Sequence, residues 1–221
     1  MKIITLDGPA GAGKSSTARA LAHELGWYHM DTGAMYRSVA FAALEQDISL
    51  ENEKDLAELA ASLDIHSAHG NVFLNGRNIT AEIRIDRVTT ATRFVADAPA
   101  VREEMKKMQR NLSKEFNLVT EGRDQGTIVF PDAELKIYLD ASPAARAARR
   151  YRERVDLGDQ SQTMNEILSS QIERDQGDRD RPVGAMAAAV DAIIINTDGL
   201  SLENVVKQVL EIASDRGLVS N

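Results

Sequence analysis

The 221-residue chain contains no cysteine, so neither a disulfide framework nor a thiolate metal site is open to it, and a reducing compartment is its natural home. It also lacks any run approaching the roughly 20 apolar residues that a membrane span needs. The opening MKIITLDGPAG carries one lysine and four apolar residues before Asp7, too few for a signal-peptide core. A soluble cytoplasmic protein with no membrane partner is expected. Basic residues are in deficit, 26 Lys and Arg against 34 Asp and Glu, for a net charge of -8. That balance argues against a nucleic-acid partner, because binders of long polyanions present a broad basic face. Internal repeats and low-complexity tracts are missing as well.

The basic charge that is present is uneven. Arginine outnumbers lysine 18 to 8 and gathers in RAARRYRER (146–154) and ERDQGDRDR (173–181). Such runs suit a solvated helix face, but the planar guanidinium also grips phosphate or carboxylate through two parallel hydrogen bonds. Small phosphorylated ligands therefore fit an acidic protein with arginine pockets.

Short apolar runs alternate with amphipathic stretches. Residues 2–6 read as a buried strand, and KSSTARALAHELG as a helix with Ala18, Leu21, Ala22 and Leu25 on one face, closed by Gly26. WYHM, NLVTEG, LKIYLDAS and DAIIINTD are further strand candidates, and GAMYRSVAFAALEQ is a second helix. Strands separated by helices predict parallel βαβ units and an α/β sheet. Two segments break the rhythm. DIHSAHGNVFLNGRNIT (64–80) alternates and carries Asn75-Gly76, a hairpin signal. QGDRDRPVGA is polar, glycine-bearing and stopped by Pro182, which predicts a mobile arginine-bearing flap. His66 and His69 lie in the hairpin segment with no third ligand nearby in sequence, and are expected to face solvent rather than a metal.

Behind the first strand stands GPAGAGKSS, residues 8–16. Gly8, Gly13, Lys14 and Ser15 satisfy G-x-x-x-x-G-K-[ST] in the required order of strand, loop and helix. Glycines let successive backbone N–H groups curl around phosphate oxygens, and the following helix points its positive end at them. Gly8, Pro9, Ala10, Gly11, Ala12, Gly13, Lys14, Ser15 and Ser16 are thus the expected ATP-binding set. Lys14 would reach the β and γ oxygens, and the Ser15 hydroxyl would coordinate Mg²⁺. The loop alone does not name a reaction, since kinases, GTP switches and ATP-driven machines share it. The N-K-x-D motif with which GTP switches read guanine is absent, and the late strand runs into NTDG instead.

A second polar set begins with DTGAMYR, residues 31–37. Together with GPAGAGKSS, EGRDQGTIVFPDAELKIYLDAS and ERDQGDRDR, it resembles the bacterial cytidylate kinases, nucleoside monophosphate kinases that move the γ-phosphate of ATP onto CMP or dCMP. The resemblance runs from the first strand to the final helix. It implies a single P-loop NTPase domain over 1–221 with a three-layer α/β core and parallel sheet, adenylate-kinase-like, carrying a monophosphate-binding insert at about 59–97 and a mobile lid at about 151–181. It further implies a monomer whose ligands are CMP, dCMP and ATP. Carried over position by position, it gives Arg37, Arg123 and Arg181 as grips on the CMP phosphate, with Arg174 and Asp178 near the sugar. Thr32, Arg102 and Asp124 fall around the cytosine. Lys14, Arg123 and Arg181 form the catalytic set. Where the family commonly has a serine base contact this chain has Arg93, and where it often has aspartate before Gly-Arg-Asp this chain has Glu121.

Plainer roles stand beside these. Arg123 and Asp124 would also make sense as an ion pair at a strand end, and Asp178 as a salt bridge in a surface loop. Asp31 is either an ordinary helix N-terminal residue or an outer-sphere partner of Mg²⁺ waters. At the level of function, the alternatives are a UMP-preferring kinase and, from another class, a P-loop switch or ATPase acting on a protein partner.

Overall fold

The computed structural model describes residues 1–68, 70–156 and 158–219. Strand β1 (Ile3–Asp7) leads through the phosphate loop into α1 (Lys14–Leu25), and β2 (Tyr28–Asp31) into α2 (Thr32–Glu45). Helix α3 (Glu53–Ser62), strands β3 (Ile65–Ala68), β4 (Asn71–Leu74) and β5 (Arg77–Asn78), and helices α4 (Asp86–Asp97) and α5 (Pro99–Leu112) follow. The chain then forms β6 (Leu118–Glu121), a π turn (Gln125–Val129), β7 (Leu135–Asp140), α6 (Pro143–Asp156), α7 (Met164–Asp180), β8 (Ile193–Asn196) and α8 (Leu202–Asp215). It divides into two compact units, one made of Met1–His29 with Asn117–Asn221 and the other of Met30–Phe116.

The predicted α/β core is present in the first unit. Its sheet has the order β2-β6-β1-β7-β8, with β1 parallel to both β6 and β7, and β7 parallel to β8. A parallel sheet is covered on both faces, so its strands read as continuous buried runs. All four residues of β6 and the last four of β1 are buried. One face is packed by Ala18, Leu21 and Ala22 of α1 and by Val205, Val209 and Ala213 of α8, against Ile4, Leu6, Val119 and Leu135. Parallel strands end at one edge, and in α/β proteins ligands bind beyond that edge. Asp7, Glu121, Asp140 and Asn196 terminate their strands there.

Behind the loop after β1, α6 and α7 carry a buried ion pair. Arg146 Nη1 stands 2.6 Å from Asp175 Oδ2, with both side chains 3% exposed or less. Helix α7 runs on from there through a glycine. QGDRD, the first half of the segment expected to form a mobile flap, closes this helix, which continues through Gly177 and ends at Asp180, before Arg181. The reason is local. Thr163 and Glu166 form a reciprocal capping box at its start, and Gln176 Nε2 donates to Asp180 Oδ2 at 2.8 Å across its last turn. Against such support the roughly 1 kcal/mol cost of one glycine is outweighed.

In the second unit α2 packs on α4 and α3 on α5, burying Phe41, Leu56, Leu59, Val88, Val95, Val101 and Met105. The predicted hairpin is found as an antiparallel β3-β4-β5 sheet. Its second turn is Asn75-Gly76, with φ of 49° and 81°, the doubly positive pair of a type I′ turn. His66 of β3 stacks on Phe73 with ring centroids 5.1 Å apart. His69 lies outside the described residues.

The ion pair yields a stability prediction. Removing one partner of a buried pair leaves the other charge uncompensated, so Arg146→Ala should lower the unfolding free energy by about 3–5 kcal/mol in urea denaturation. Arg150→Ala, which removes a half-exposed side chain 3.2 Å from Glu153, should leave the midpoint nearly unchanged.

Candidate active site

A loop that turns N–H groups toward a phosphate needs its carbonyls satisfied from the other side, and between β1 and α1 they are. Lys14 Nζ donates to the Pro9 carbonyl at 2.8 Å, Arg146 Nη1 to that of Ala10 at 2.8 Å, and Arg149 Nη1 to that of Gly11 at 3.4 Å. Thr197 Oγ1 donates to the Ala12 carbonyl at 3.2 Å, and the Thr17 N–H to that of Gly13 at 3.0 Å. Asp175 Oδ1 accepts the Ala10 N–H at 3.3 Å. Gly8 is required twice over: its φ is +139°, and a Cβ there would lie 2.0 Å from the Leu139 carbonyl oxygen. Helix α1 opens with no acidic residue in its first turn and no side-chain cap. Its positive end is left for an anion.

Two buried charges oppose one another at this edge. The Lys14 ammonium is lowered to about 7 by burial and then by the charges of Arg123 and Arg174, against the pull of Glu121 and Asp7. Asp7 is raised to about 6, chiefly by burial and also by Asp124, although it accepts N–H groups from Gly126 at 2.7 Å and Gln125 at 2.9 Å.

Around them the structure gathers part of the predicted set. Asp178 sits between two arginines, accepting from Arg123 Nε on Oδ2 and from Arg181 Nη2 on Oδ1, each at 2.8 Å. Burial pushes the Asp178 carboxyl up, but Arg123, Arg181 and Arg174 together hold it below the usual carboxylate range. Asp124, 6% exposed, begins the π turn, and its carbonyl accepts from Ile128 and Val129. Lys14, Arg123, Arg174 and Asp178 are thus electrostatically linked, and Arg181 joins them through Asp178. The salt-bridge role considered for Asp178 is real, but it falls on a buried side chain rather than a surface loop.

The second unit holds the remaining predicted residues. Asp31 caps α2, accepting from the Ala34 N–H at 2.9 Å, and Thr32 is the buried first residue of that helix. Arg37 Nη1 donates to Thr89 Oγ1 at 2.8 Å and to the Ile83 carbonyl at 3.2 Å. Arg102, 7% exposed, donates to the Ala96 carbonyl at 3.1 Å and lies 5.7 Å from the Tyr36 ring centroid. Arg93 is exposed on α4, 3.9 Å from Asp97.

Sequence reasoning overlooked Asp7, Arg146, Arg149, Asp175 and Thr197. RAARRYRER did stand out, but as an arginine cluster suited to a ligand. In the structure Arg146 and Arg149 take the loop's carbonyls, Arg150 pairs with Glu153, and Arg154 pairs with Asp159 at 2.6 Å. Arg149 also donates to the Thr197 carbonyl. Thr197 belongs to the NTDG stretch noted only for what it was not.

A five-stranded sheet with GPAGAGKSS at the end of its central strand defines an α/β protein of the P-loop class. A crystal structure of an uncharacterized protein from Eubacterium ventriosum has the same fold, with a TM-score of 0.52 at 9% identity over 97% of this chain and 99% of that one. The family model described as cytidylate kinase matches residues 4–215. The chain is 46% identical to a cytidylate kinase of Rhodopirellula baltica over 96% of its length and 93% of the relative's. It is likewise 46% identical to one of Pelotomaculum thermopropionicum, over 94% and 93% of the two chains. The chain belongs to the cytidylate kinase family and is a phosphotransferase. Among the described residues no helix is long and apolar enough to cross a membrane.

The Lys14 shift has a measurable sign. A lysine at about 7 is largely neutral at pH 8, and a bound triphosphate restores its charge, so ATP binding should take up close to one proton at pH 8 and far less below pH 6. Calorimetry in buffers of different ionisation enthalpy reads this directly, and Lys14→Met should abolish the uptake. Between about 7 and the ordinary lysine value of 10.5 the unfolded chain binds the extra proton, so this group makes stability rise with pH across that window.

Proposed function

We propose that the protein transfers the γ-phosphate of ATP to CMP or dCMP, giving CDP or dCDP and ADP. One observation carries this reading furthest. Arg123 and Arg174, which the family resemblance assigns to the acceptor, both act on the charge of Lys14, the residue suited to the transferred phosphoryl. The name cytidylate kinase borne by the relatives supports CMP as acceptor.

A CMP phosphate oxygen attacks the γ-phosphorus as the bond to the β-bridging oxygen breaks and ADP leaves. The attacking oxygen is already anionic, so no general base is needed. Catalysis reduces to in-line positioning and neutralisation of charge on the transferred group. The loop N–H groups and Lys14 hold the β and γ oxygens, while Arg123 and Arg181 leave Asp178 to grip the acceptor phosphate. Arg37 is assigned to the same phosphate, Arg174 and Asp178 to the sugar, and Thr32, Arg102 and Asp124 to the base. Ser15 is exposed on the first turn of α1, a hard oxygen donor suited to Mg²⁺. Mg²⁺ bound there with ATP supplies further charge neutralisation.

Base choice follows from hydrogen-bond polarity. Asp124 accepts from the cytosine N4 amino group, and Arg102 donates to N3 or O2. UMP would set its O4 acceptor against Asp124 and its N3-H donor against the arginine. A coupled assay should therefore show ADP release only when an acceptor is added, with CMP and dCMP preferred over UMP by at least ~100-fold in kcat/KM. Asp124→Asn should narrow that ratio mainly through lost CMP activity. Hydrolysis of ATP without acceptor would favour a switch or ATPase, and equal rates with CMP and UMP would remove Asp124 from base reading.

Residues of about 59–97 and 151–181 are assigned as the monophosphate-binding insert and the lid, whose closure excludes water as a competing acceptor. If so, amide hydrogen exchange across residues 155–181 should slow when ATP and CMP analogues bind together. Unchanged exchange would make the segment a fixed surface element.

A further inference from the structure

Asp7 is a buried carboxylate with no part in the chemistry above. It is 4% exposed at the end of β1, where loss of solvent disfavours its charge. Its two oxygens are committed separately, Oδ1 to the Gln125 N–H and Oδ2 to the Gly126 N–H, the first two donors of the π turn. That turn has no side-chain cap of its own, and the neighbouring strand supplies one. Gly126 is pressed against the same strand. A Cβ there would lie 3.0 Å from Thr5 Oγ1 and 3.2 Å from Lys136 Cδ. At the other side of the turn, Ile128 and Val129 N–H groups fix the Asp124 carbonyl at 2.9 and 3.2 Å. The peptide that carries Asp124 is thus held at both ends, and Arg123 stands one residue before it.

We infer that Asp7 is a positioning residue for acceptor selection: by clamping the N–H groups of Gln125 and Gly126 it sets the direction in which Arg123 and Asp124 face the nucleotide. Asp7 touches neither substrate. The inference rests on the assignment of Arg123 and Asp124 to CMP. A longer or neutral side chain cannot reproduce it, because the site requires two acceptor oxygens within hydrogen-bond reach of two adjacent donors.

Asp7→Asn tests this. The amide keeps the size of the carboxylate but sets an NH₂ against one backbone donor, so one clamp is lost whichever way it lies. At saturating ATP the ratio of kcat/KM for CMP over UMP should narrow by at least about 10-fold, the scale of losing one charge-assisted hydrogen bond. Both acceptors use the same ATP and the same Lys14, so any effect of the lost charge on Lys14 cancels in this ratio. An unchanged ratio with equally reduced rates would overturn the inference and leave Asp7 a structural residue. Asp124→Asn measured in parallel separates the two ideas. If it shifts the ratio and Asp7→Asn does not, only the role of Asp7 falls; if Asp124→Asn shifts nothing, base reading itself falls, and the role of Asp7 with it. Should Asp7→Asn fail to fold, Gly126→Ala displaces the same turn from the other side. It should narrow the ratio, and Thr5→Ala added to it should restore the ratio; an unaltered ratio in Gly126→Ala would overturn the inference equally.

Discussion

A loop that offers its N–H groups to phosphate has carbonyls facing the other way, and those carbonyls cannot go unsatisfied in the interior. Every carbonyl from Pro9 to Gly13 has a donor in this chain: Lys14, Arg146, Arg149, Thr197 and the Thr17 N–H in turn. The donors come from α1, α6 and the segment after β8, so elements far apart in sequence converge behind nine residues. Arg146 makes the constraint strictest. It binds Ala10 and the Ala141 carbonyl while paired with Asp175, which in turn takes the Ala10 N–H. The loop is pinned through both backbone groups of one residue, Ala10.

The same edge of the sheet concentrates charge against its preference. Lys14 is driven toward neutrality and Asp7 toward protonation, each mainly by burial. Neither shift favours the fold at neutral pH, since both groups would be more comfortably charged in water. Their retention marks the place where function outweighs stability. For Lys14 the proposed function supplies the compensation: a bound polyanion would restore the charge that burial removes. For Asp7 it is two short backbone hydrogen bonds, which restore part of what solvent supplied.

Legibility in the sequence followed the kind of signal involved. The strand, loop and helix around GPAGAGKSS were readable because each glycine and the lysine answer to a geometric need that local spacing expresses. Asn75-Gly76 was readable because two positive φ angles admit few residue pairs. The π turn at Gln125–Val129 was not, for a bond spanning five residues leaves no side-chain period and its cap, Asp7, is distant in the chain. The helix through Gly177 was equally hard to read, since capping and pairing elsewhere in α7 outweigh the local cost of the glycine. The roles of Arg146 and Arg149 were hidden because a guanidinium meets a carbonyl and a phosphate with the same donors. Which one it faces is decided by topology.

The arginines differ in what each is committed to. Arg146 is 2% exposed, its donors go inward to the Ala141 and Ala10 carbonyls and its charge is paired with Asp175, an arrangement that would have to be dismantled before it could hold a ligand. Arg123 and Arg181 instead share one carboxylate, Asp178, and retain side-chain exposure of 18% and 8%. A carboxylate accepting from two guanidinium groups, Arg123 through Nε and Arg181 through Nη2, stabilises them without substrate. A phosphate, with more oxygens and more charge, competes for the same donors on better terms. Arg146, locked to Asp175, therefore holds the loop after β1, and the pair resting on Asp178 is the one proposed above to receive the acceptor.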